Sequence, residues 1–192
     1  MEPSDEELMG RYRRGDGGAF AVLVQRHRAR VFAFLKRLTQ DSARAEDVLQ
    51  ETWLRVVRGA AGYQPTARFT TWVYTIARNA CLDTARREVH RTAEPLGEEA
   101  ADAGTPWNDP ERGASSAELR LRLEAAVAAL PAEQREVFLL RELAGVAFAE
   151  IALITRAPTP TVKSRMRYAL ESLRRQLAEA GFEVGPDGRS AP

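Results

Sequence analysis

The chain has 192 residues, of which 44% are hydrophobic and 29% charged, with a formal net charge of +1. That length allows one domain or two small ones, and the apolar share is enough for a packed core. One cysteine excludes an internal disulfide framework or a cysteine-based metal site, and no apolar run reaches the ~18 residues that would cross a membrane.

Residues 1–10, MEPSDEELMG, are acidic and polar, without a signal-peptide pattern, so a cytoplasmic protein with no membrane insertion is expected. A short helix is predicted near residues 4–14, with Gly17 and Gly18 as punctuation. The next helix is predicted over residues 19–38. Phe20, Leu23, Val24, Val31, Phe34, Leu35 and Leu38 recur on one face, and His27 falls on the same stripe as a core or boundary histidine. A helix follows over residues 42–59, capped by Asp41 or Ser42 and closed by Gly59. Ala45, Val48, Leu49, Thr52, Trp53, Val56 and Val57 form its predicted buried face. Glu46, Asp47, Gln50 and Glu51 point outward, a row suited to a solvated face or to docking on a basic partner.

Residues 62–68 form a loop set by glycine and proline. It feeds FTTWVYTIARNACLDTARR, residues 69–87. Phe69, Trp72, Val73, Ile76, Ala77, Ala80 and Cys81 make a helical apolar stripe. Tyr63 and Tyr74 fall off that stripe, so Trp72 is the stronger core candidate among these aromatics. Thr70 or Thr71 is the expected N-cap. The opposite face carries Tyr74, Arg78, Asn79, Asp83, Arg86 and Arg87. Aromatic rings stack on unpaired bases and arginines pair with phosphate, so this helix suits single-stranded nucleic acid as well as an ordinary amphipathic role.

The composition then shifts. Between residues 88 and 118 there are eight acidic side chains and two arginines, and the Ala/Gly/Pro-rich stretch reads as a flexible acidic linker. Order returns at Ser115-Ser116-Ala117-Glu118, a capping box, followed by helical spacing of Leu119, Leu123, Ala126, Val127 and Leu130. Pro131 opens another helix and Gly145 closes it. FAEIAL is a short helix and RAPTP a turn. TVKSRMRYALESLRRQLAEA is a long basic helix with Thr159 as expected cap. Residues 181–192 read as a frayed tail.

The serines have no histidine at a suggestive spacing, and there is no glycine-rich phosphate loop and no His-x-x-x-His pair. No enzymatic activity, no cofactor and no metal are therefore expected. A short helix, a tight turn and a basic helix make a helix-turn-helix, whose second helix presents its N-terminal residues to base edges. Here those are Thr161, Lys163, Ser164, Arg167 and Tyr168.

Four stretches, AEDVLQETWLRVVR, FTTWVYTIARNACLDTARR, ALPAEQREVFLLRELAGVAFAEIA and TVKSRMRYALESLRRQL, together resemble the σ70 family of sigma factors, extracytoplasmic-function group. They stand in that family's order and cover residues 19–177. The resemblance implies an all-α fold: a σ2-like domain at 1–91, a flexible linker at 92–115, a σ4-like helix-turn-helix domain at 116–180 and a disordered tail. It implies a monomeric, cytoplasmic promoter-specificity subunit that binds core RNA polymerase through its β and β′ subunits, and promoter DNA, with an anti-sigma factor as a further partner. Asp47, Gln50, Glu51 and Trp53 match the polymerase-binding surface. Trp72, Tyr74, Arg78 and Asn79 match the −10 reading and melting stretch. The loop of Tyr63 leading to Phe69 corresponds to the pocket for a flipped −10 base, and Asp83, Arg86 and Arg87 extend this surface. Arg135 supports −35 contact beside Thr161, Lys163, Ser164, Arg165, Arg167 and Tyr168. The chain departs from the family at Ala147, where a capping Ser or Thr is usual, and at Thr155, Arg156, Pro160 and Tyr168. A free-standing helix-turn-helix regulator, or an interaction module with a disabled reading helix, are the alternatives. The first would need a dimer face, for which the chain offers no heptad-like seam, and leaves the first module unexplained; the second requires that the altered turn disable the last helix.

Overall fold

The computed structural model describes residues 2–65, 67–91 and 114–182, which form eight α-helices joined by short turns, with no strand among the described residues. The first half holds α1 (Asp5–Arg13), α2 (Gly17–Thr39), α3 (Ser42–Gly59), a 3₁₀ turn (Ala60–Gly62) and α4 (Phe69–Arg91). The second holds α5 (Ala114–Ala128), α6 (Ala132–Phe138), a π-helical turn (Leu139–Leu143), α7 (Phe148–Thr155) and α8 (Thr159–Glu179). The predicted acidic linker and the residue 183–192 tail lie outside the described residues, apart from the first residues of α5.

Most helix starts follow their sequence signals. Ser4 and Glu7 form a reciprocal capping box on α1, and Asp41 caps α3 through the Arg44 amide at 2.9 Å. Four starts differ from expectation. The Gly17-Gly18 pair opens α2 instead of interrupting the chain, because Asp16 accepts from the Ala19 amide at 3.1 Å. α4 is capped by neither Thr70 nor Thr71; the Phe69 amide donates to Glu6 of α1 at 2.9 Å. α5 begins at Ala114, so Ser115 lies inside its first turn. α8 begins at Thr159 after Pro158, leaving Thr159 as its first residue.

The two faces of α1 stitch the first half together. Leu8 and Met9 enter the core, while Arg13 donates to the backbone carbonyls of Tyr63 and Ala61. Asp5 sits 2.6 Å from Arg26 and 2.7 Å from Nε2 of His27. His27 is thus a buried, hydrogen-bonded core residue, as expected. α2 and α3 pack face to face, and α4 lies across both. The stripe of α2 is buried largely as predicted, through Leu23, Val31, Phe34 and Leu35. On α3, Val57 is exposed and Trp53 only half-buried. Gly59 ends α3 with an ordinary negative φ of −84°. Its lack of a side chain serves another purpose: a Cβ there would stand 3.2 Å from the Trp72 ring.

In the second half α8 packs on α5, α6 and α7, burying Val162, Met166, Ala169, Leu173 and Leu177. The predicted helix after Pro131 is broken in two, since α6 passes into the π turn, and Gly145 then reverses the chain at φ 68°. Thr155 is buried where an apolar residue is usual, and its hydroxyl is satisfied by the Ile151 carbonyl at 2.8 Å. The two halves share one continuous core: α4 packs on α7, and α2 on α6 and the π turn.

The tight turn between α7 and α8 carries two local costs. Ala147 stands at the N-cap of α7 with no side-chain oxygen to offer, although Glu150 accepts from its amide at 3.1 Å. Arg156 terminates α7 in the left-handed region at φ 55°, where a Cβ is penalised. Ala147→Ser and Arg156→Gly should each stabilise the fold by about 1 kcal/mol. Urea titration followed by circular dichroism should show a higher midpoint at unchanged slope.

Candidate nucleic-acid interface

Three surfaces collect the predicted site residues. On the outward face of α3, Asp47 and Gln50 are exposed and Glu51 is half-exposed. Arg55 bridges this face to α4. Its Nε donates to Glu51 at 2.7 Å and its Nη1 to Asp83 at 2.8 Å. The Arg55 hydrogen bond holds the Glu51 carboxyl below the usual carboxylate range. Trp53 meets Phe20 edge-on at 6.1 Å, and its indole N–H is buried without a hydrogen-bond partner.

The second surface is α4 with its preceding loop. Here the order of burial among the aromatics is the reverse of that expected. Tyr63 and Tyr74 are buried, at 4% and 1% exposure, and Trp72 is half-buried. Tyr74 points into the bundle and meets Phe34 edge-on at 5.2 Å; burial pushes its phenol well above the ordinary value. A single stripe misses this because α4 is enclosed by α2 and α3 on one side and by α7 on another. Tyr63, Phe69 and Trp72 cluster, with Tyr63 and Trp72 centroids 4.9 Å apart. The Tyr63 hydroxyl reaches the Ala67 carbonyl at 3.4 Å and so braces the loop. Cys81 is half-buried, and burial pushes its thiol up.

Along the polar side of α4, Arg78, Asn79, Leu82, Asp83 and Arg86 line an open cleft of about 550 Å³ with Arg55. Its far wall is Thr155 and Arg156, the end of α7. Arg86 is exposed, and Arg87 lies back on Thr84 and the Asp83 carbonyl. Arg78 is not free. Its guanidinium is bonded to Glu136 of α6 at 2.7 Å and 3.4 Å.

The third surface is the first turns of α8. Lys163, Arg167 and Tyr168 are exposed, and Thr161, Ser164 and Arg165 half-exposed. Arg165 pairs with Glu133 of α6. The Arg167 guanidinium lies over the Tyr168 ring at 4.9 Å. Arg135 is set behind this surface. It donates to the Ala128 carbonyl at 2.7 Å while its Nε is buried without a partner, and burial lowers its pKa.

Two helical units, one with an aromatic-flanked basic helix and one with an exposed helix-turn-helix, are matched in turn by two family models. Sigma-70 region 2 matches residues 23–91, and Sigma-70 region 4 matches residues 120–173. The chain is 35% identical to RNA polymerase sigma factor CarQ of Myxococcus xanthus, over 92% of this chain and 99% of that protein. The chain belongs to the extracytoplasmic-function group of σ70 sigma factors. It is also 32% identical to the ECF RNA polymerase sigma factor SigE of Mycolicibacterium smegmatis, over 96% of this chain and 73% of that one. Two solved structures share the fold. They are the sigma factor RpoE with the anti-sigma factor NepR from Bartonella quintana (TM-score 0.68, 23% identity, 83% of this chain and 96% of that one), and CnrH with the cytosolic domain of CnrY (TM-score 0.68, 21% identity, 92% and 99%). As a sigma factor the protein directs promoter-specific initiation by bacterial RNA polymerase.

Sequence reasoning missed Arg55, Glu136 and Arg156 as site residues. The Glu51–Arg55 spacing of four was a readable signal. Glu136 and Arg156 lie in the other half of the chain and reach the site only through tertiary packing. The buried position of Tyr74 separates a packing role from a reading role. Tyr74→Phe should leave thermal stability and promoter opening near the parent values. Tyr74→Ala should cost about 3–5 kcal/mol of stability, as other buried aromatics do, read by urea unfolding.

Proposed function

We propose a division of labour among the three surfaces of this sigma factor. Asp47, Gln50, Glu51 and Trp53 dock on core polymerase; Trp72, Asn79, Arg78, Asp83, Arg86 and Arg87 engage the −10 element and its displaced strand; Thr161, Lys163, Ser164 and Arg167 read the −35 element. The observation that carries this reading is that polar side chains suited to each task lie on separate faces of one chain. α3 offers acids to a basic partner, α4 offers guanidinium and amide groups to a strand, and α8 offers donors to base edges.

Each residue type does a definable job. Lys163 and Arg167 can donate to guanine acceptors, and the Arg167–Tyr168 stack holds the guanidinium at a fixed orientation. Arg135 supports α8 from behind by fixing the end of α5. At the −10 surface, Asn79 can bond a base edge and Arg86 can pair with phosphate. Tyr63 and Phe69 shape the wall of the loop pocket instead of stacking in the open. The protein carries out no reaction of its own, and polymerase makes the RNA. It acts in the cytoplasm, where the template is; among the described residues no helix is long and apolar enough to cross a membrane. An anti-sigma partner fits this reading, since sigma factors of this fold have been solved bound to such proteins.

Two measurements test the reading. Asp47→Lys should weaken binding to core polymerase about tenfold or more with circular dichroism unchanged, by reversing a complementary charge; unchanged affinity counts against α3 as the docking face. Arg167→Ala should cost about 1–3 kcal/mol of promoter affinity and relax preference at one −35 position. A uniform loss across promoters with a shallower salt slope reassigns Arg167 to phosphate.

The −10 assignment has its own check. Asn79→Ala with Arg86→Ala should slow open-complex formation on duplex DNA and recover on a template already unpaired at −10, because unstacking has been removed. Equal impairment on both templates places the defect elsewhere.

A further inference from the structure

The loop between the 3₁₀ turn and α4 is tied at both ends to one element, α1. At its start, Arg13 spreads its guanidinium over two backbone carbonyls: Nη1 donates to Tyr63 at 2.9 Å and Nη2 to Ala61 at 3.2 Å. At its end, Glu6 accepts the amide of Phe69, the first residue of α4, at 2.9 Å. Glu6 and Arg13 stand about two helical turns apart on α1, so both fall on the side that meets the loop. Side chains close the base: the Tyr63 and Phe69 rings meet edge-on at 6.4 Å, and the Tyr63 hydroxyl reaches the Ala67 carbonyl at 3.4 Å. Between these ties Gln64, Pro65, Ala67 and Arg68 are exposed. Pro65 lines an open cleft with Glu6, Gly10 and Arg14 instead of packing on α1.

Such a clamp positions the loop only if α1 is itself fixed. Leu8 and Met9 are fully in the core. Asp5 binds Arg26 and His27 of α2, and Arg26 also donates to the Pro3 carbonyl at 3.1 Å. The chemistry of Arg13 is particular as well. Its hydrogen bonds go to two loop carbonyls and not to a carboxylate, although α1 carries Asp5, Glu6 and Glu7. A planar fork sets two acceptors relative to each other, which the point charge of a lysine does not. Both clamp residues precede residues 23–91, the stretch matched by Sigma-70 region 2.

We propose that Arg13, together with Glu6, is a positioning residue for −10 recognition: the pair pre-sets the loop from Tyr63 to Phe69 before DNA arrives, so that a displaced base meets a pocket already formed. This rests on the −10 assignment made above. A loop tied at both ends has little left to order on binding, so the interaction energy goes into discriminating bases and not into arranging the loop. Neither residue touches DNA; both act through the loop backbone.

Two readouts on the full chain test this. In the free protein, Arg13→Met keeps the stem and removes the donors. It should speed hydrogen exchange at the Tyr63 and Phe69 amides by about tenfold while interior amides of α2 and α3 keep the parent rate. Arg13→Lys keeps the charge and loses the fork, and should move the same amides in the same direction. In holoenzyme with core polymerase, open-complex rates are compared between the preferred −10 element and one changed at a single base. Both variants should compress that preference by about fivefold, the low end of a base contact. Core affinity and salt slope should not move, since no phosphate contact is lost. Glu6→Ala should act alike, and Glu6→Gln, whose side-chain oxygen can still accept the Phe69 amide, should recover most of the loss. Unchanged loop exchange overturns the proposal, as does equal slowing on both promoters, the mark of a merely structural role. An Arg13→Lys chain that matches the parent overturns it too, by reducing Arg13 to its charge. Gln64→Ala with Arg68→Ala, inside the loop, separates this proposal from the −10 reading. If that pair shifts the preference and Arg13→Met does not, only the positioning role fails; if neither shifts it, the loop assignment fails as well.

Discussion

The enclosure of α4 is the constraint on which the rest of the molecule depends. Its buried residues include Phe69, Thr71, Val73, Tyr74, Ala77 and Ala80, too wide an arc for one helix face. One side packs on α2 and α3, another on α7. The surfaces proposed for docking and for DNA are tied to this helix. Arg55 ties the α3 face to it through Asp83, α1 caps its first amide through Glu6, and the second half is joined to it through Thr71 and Arg78. A helix that is a core element for two units at once cannot present all its polar groups to solvent, so the reading role proposed for it and its packing compete for the same side chains.

That competition explains what was legible in the sequence. The all-α class, the helix order, the Asp41 cap and the stripes of α2, α3 and α8 follow from period 3.6 and local capping chemistry, and they appear nearly where the spacing puts them. Tyr74 was misread as outward because the stripe of α4 was drawn for one packing partner. Its burial against Phe34 comes from a second side that periodicity does not encode. The Glu6 cap was invisible for a related reason: 63 positions separate it from Phe69, and capping rules look only three or four residues ahead. Gly59 was legible as a helix end but not as the space that Trp72 occupies.

The helix-turn-helix turn shows how a departure from a family pattern is absorbed. Arg156 takes the left-handed conformation that glycine adopts without strain, and Ala147 leaves the α7 start without a side-chain cap. These are costs on a short helix of eight residues. The helix holds because Ile151 and Ile154 are buried and because Glu150 binds the Ala147 amide with one oxygen and Thr71 with the other. Part of the support for α7 therefore comes from the first half of the chain.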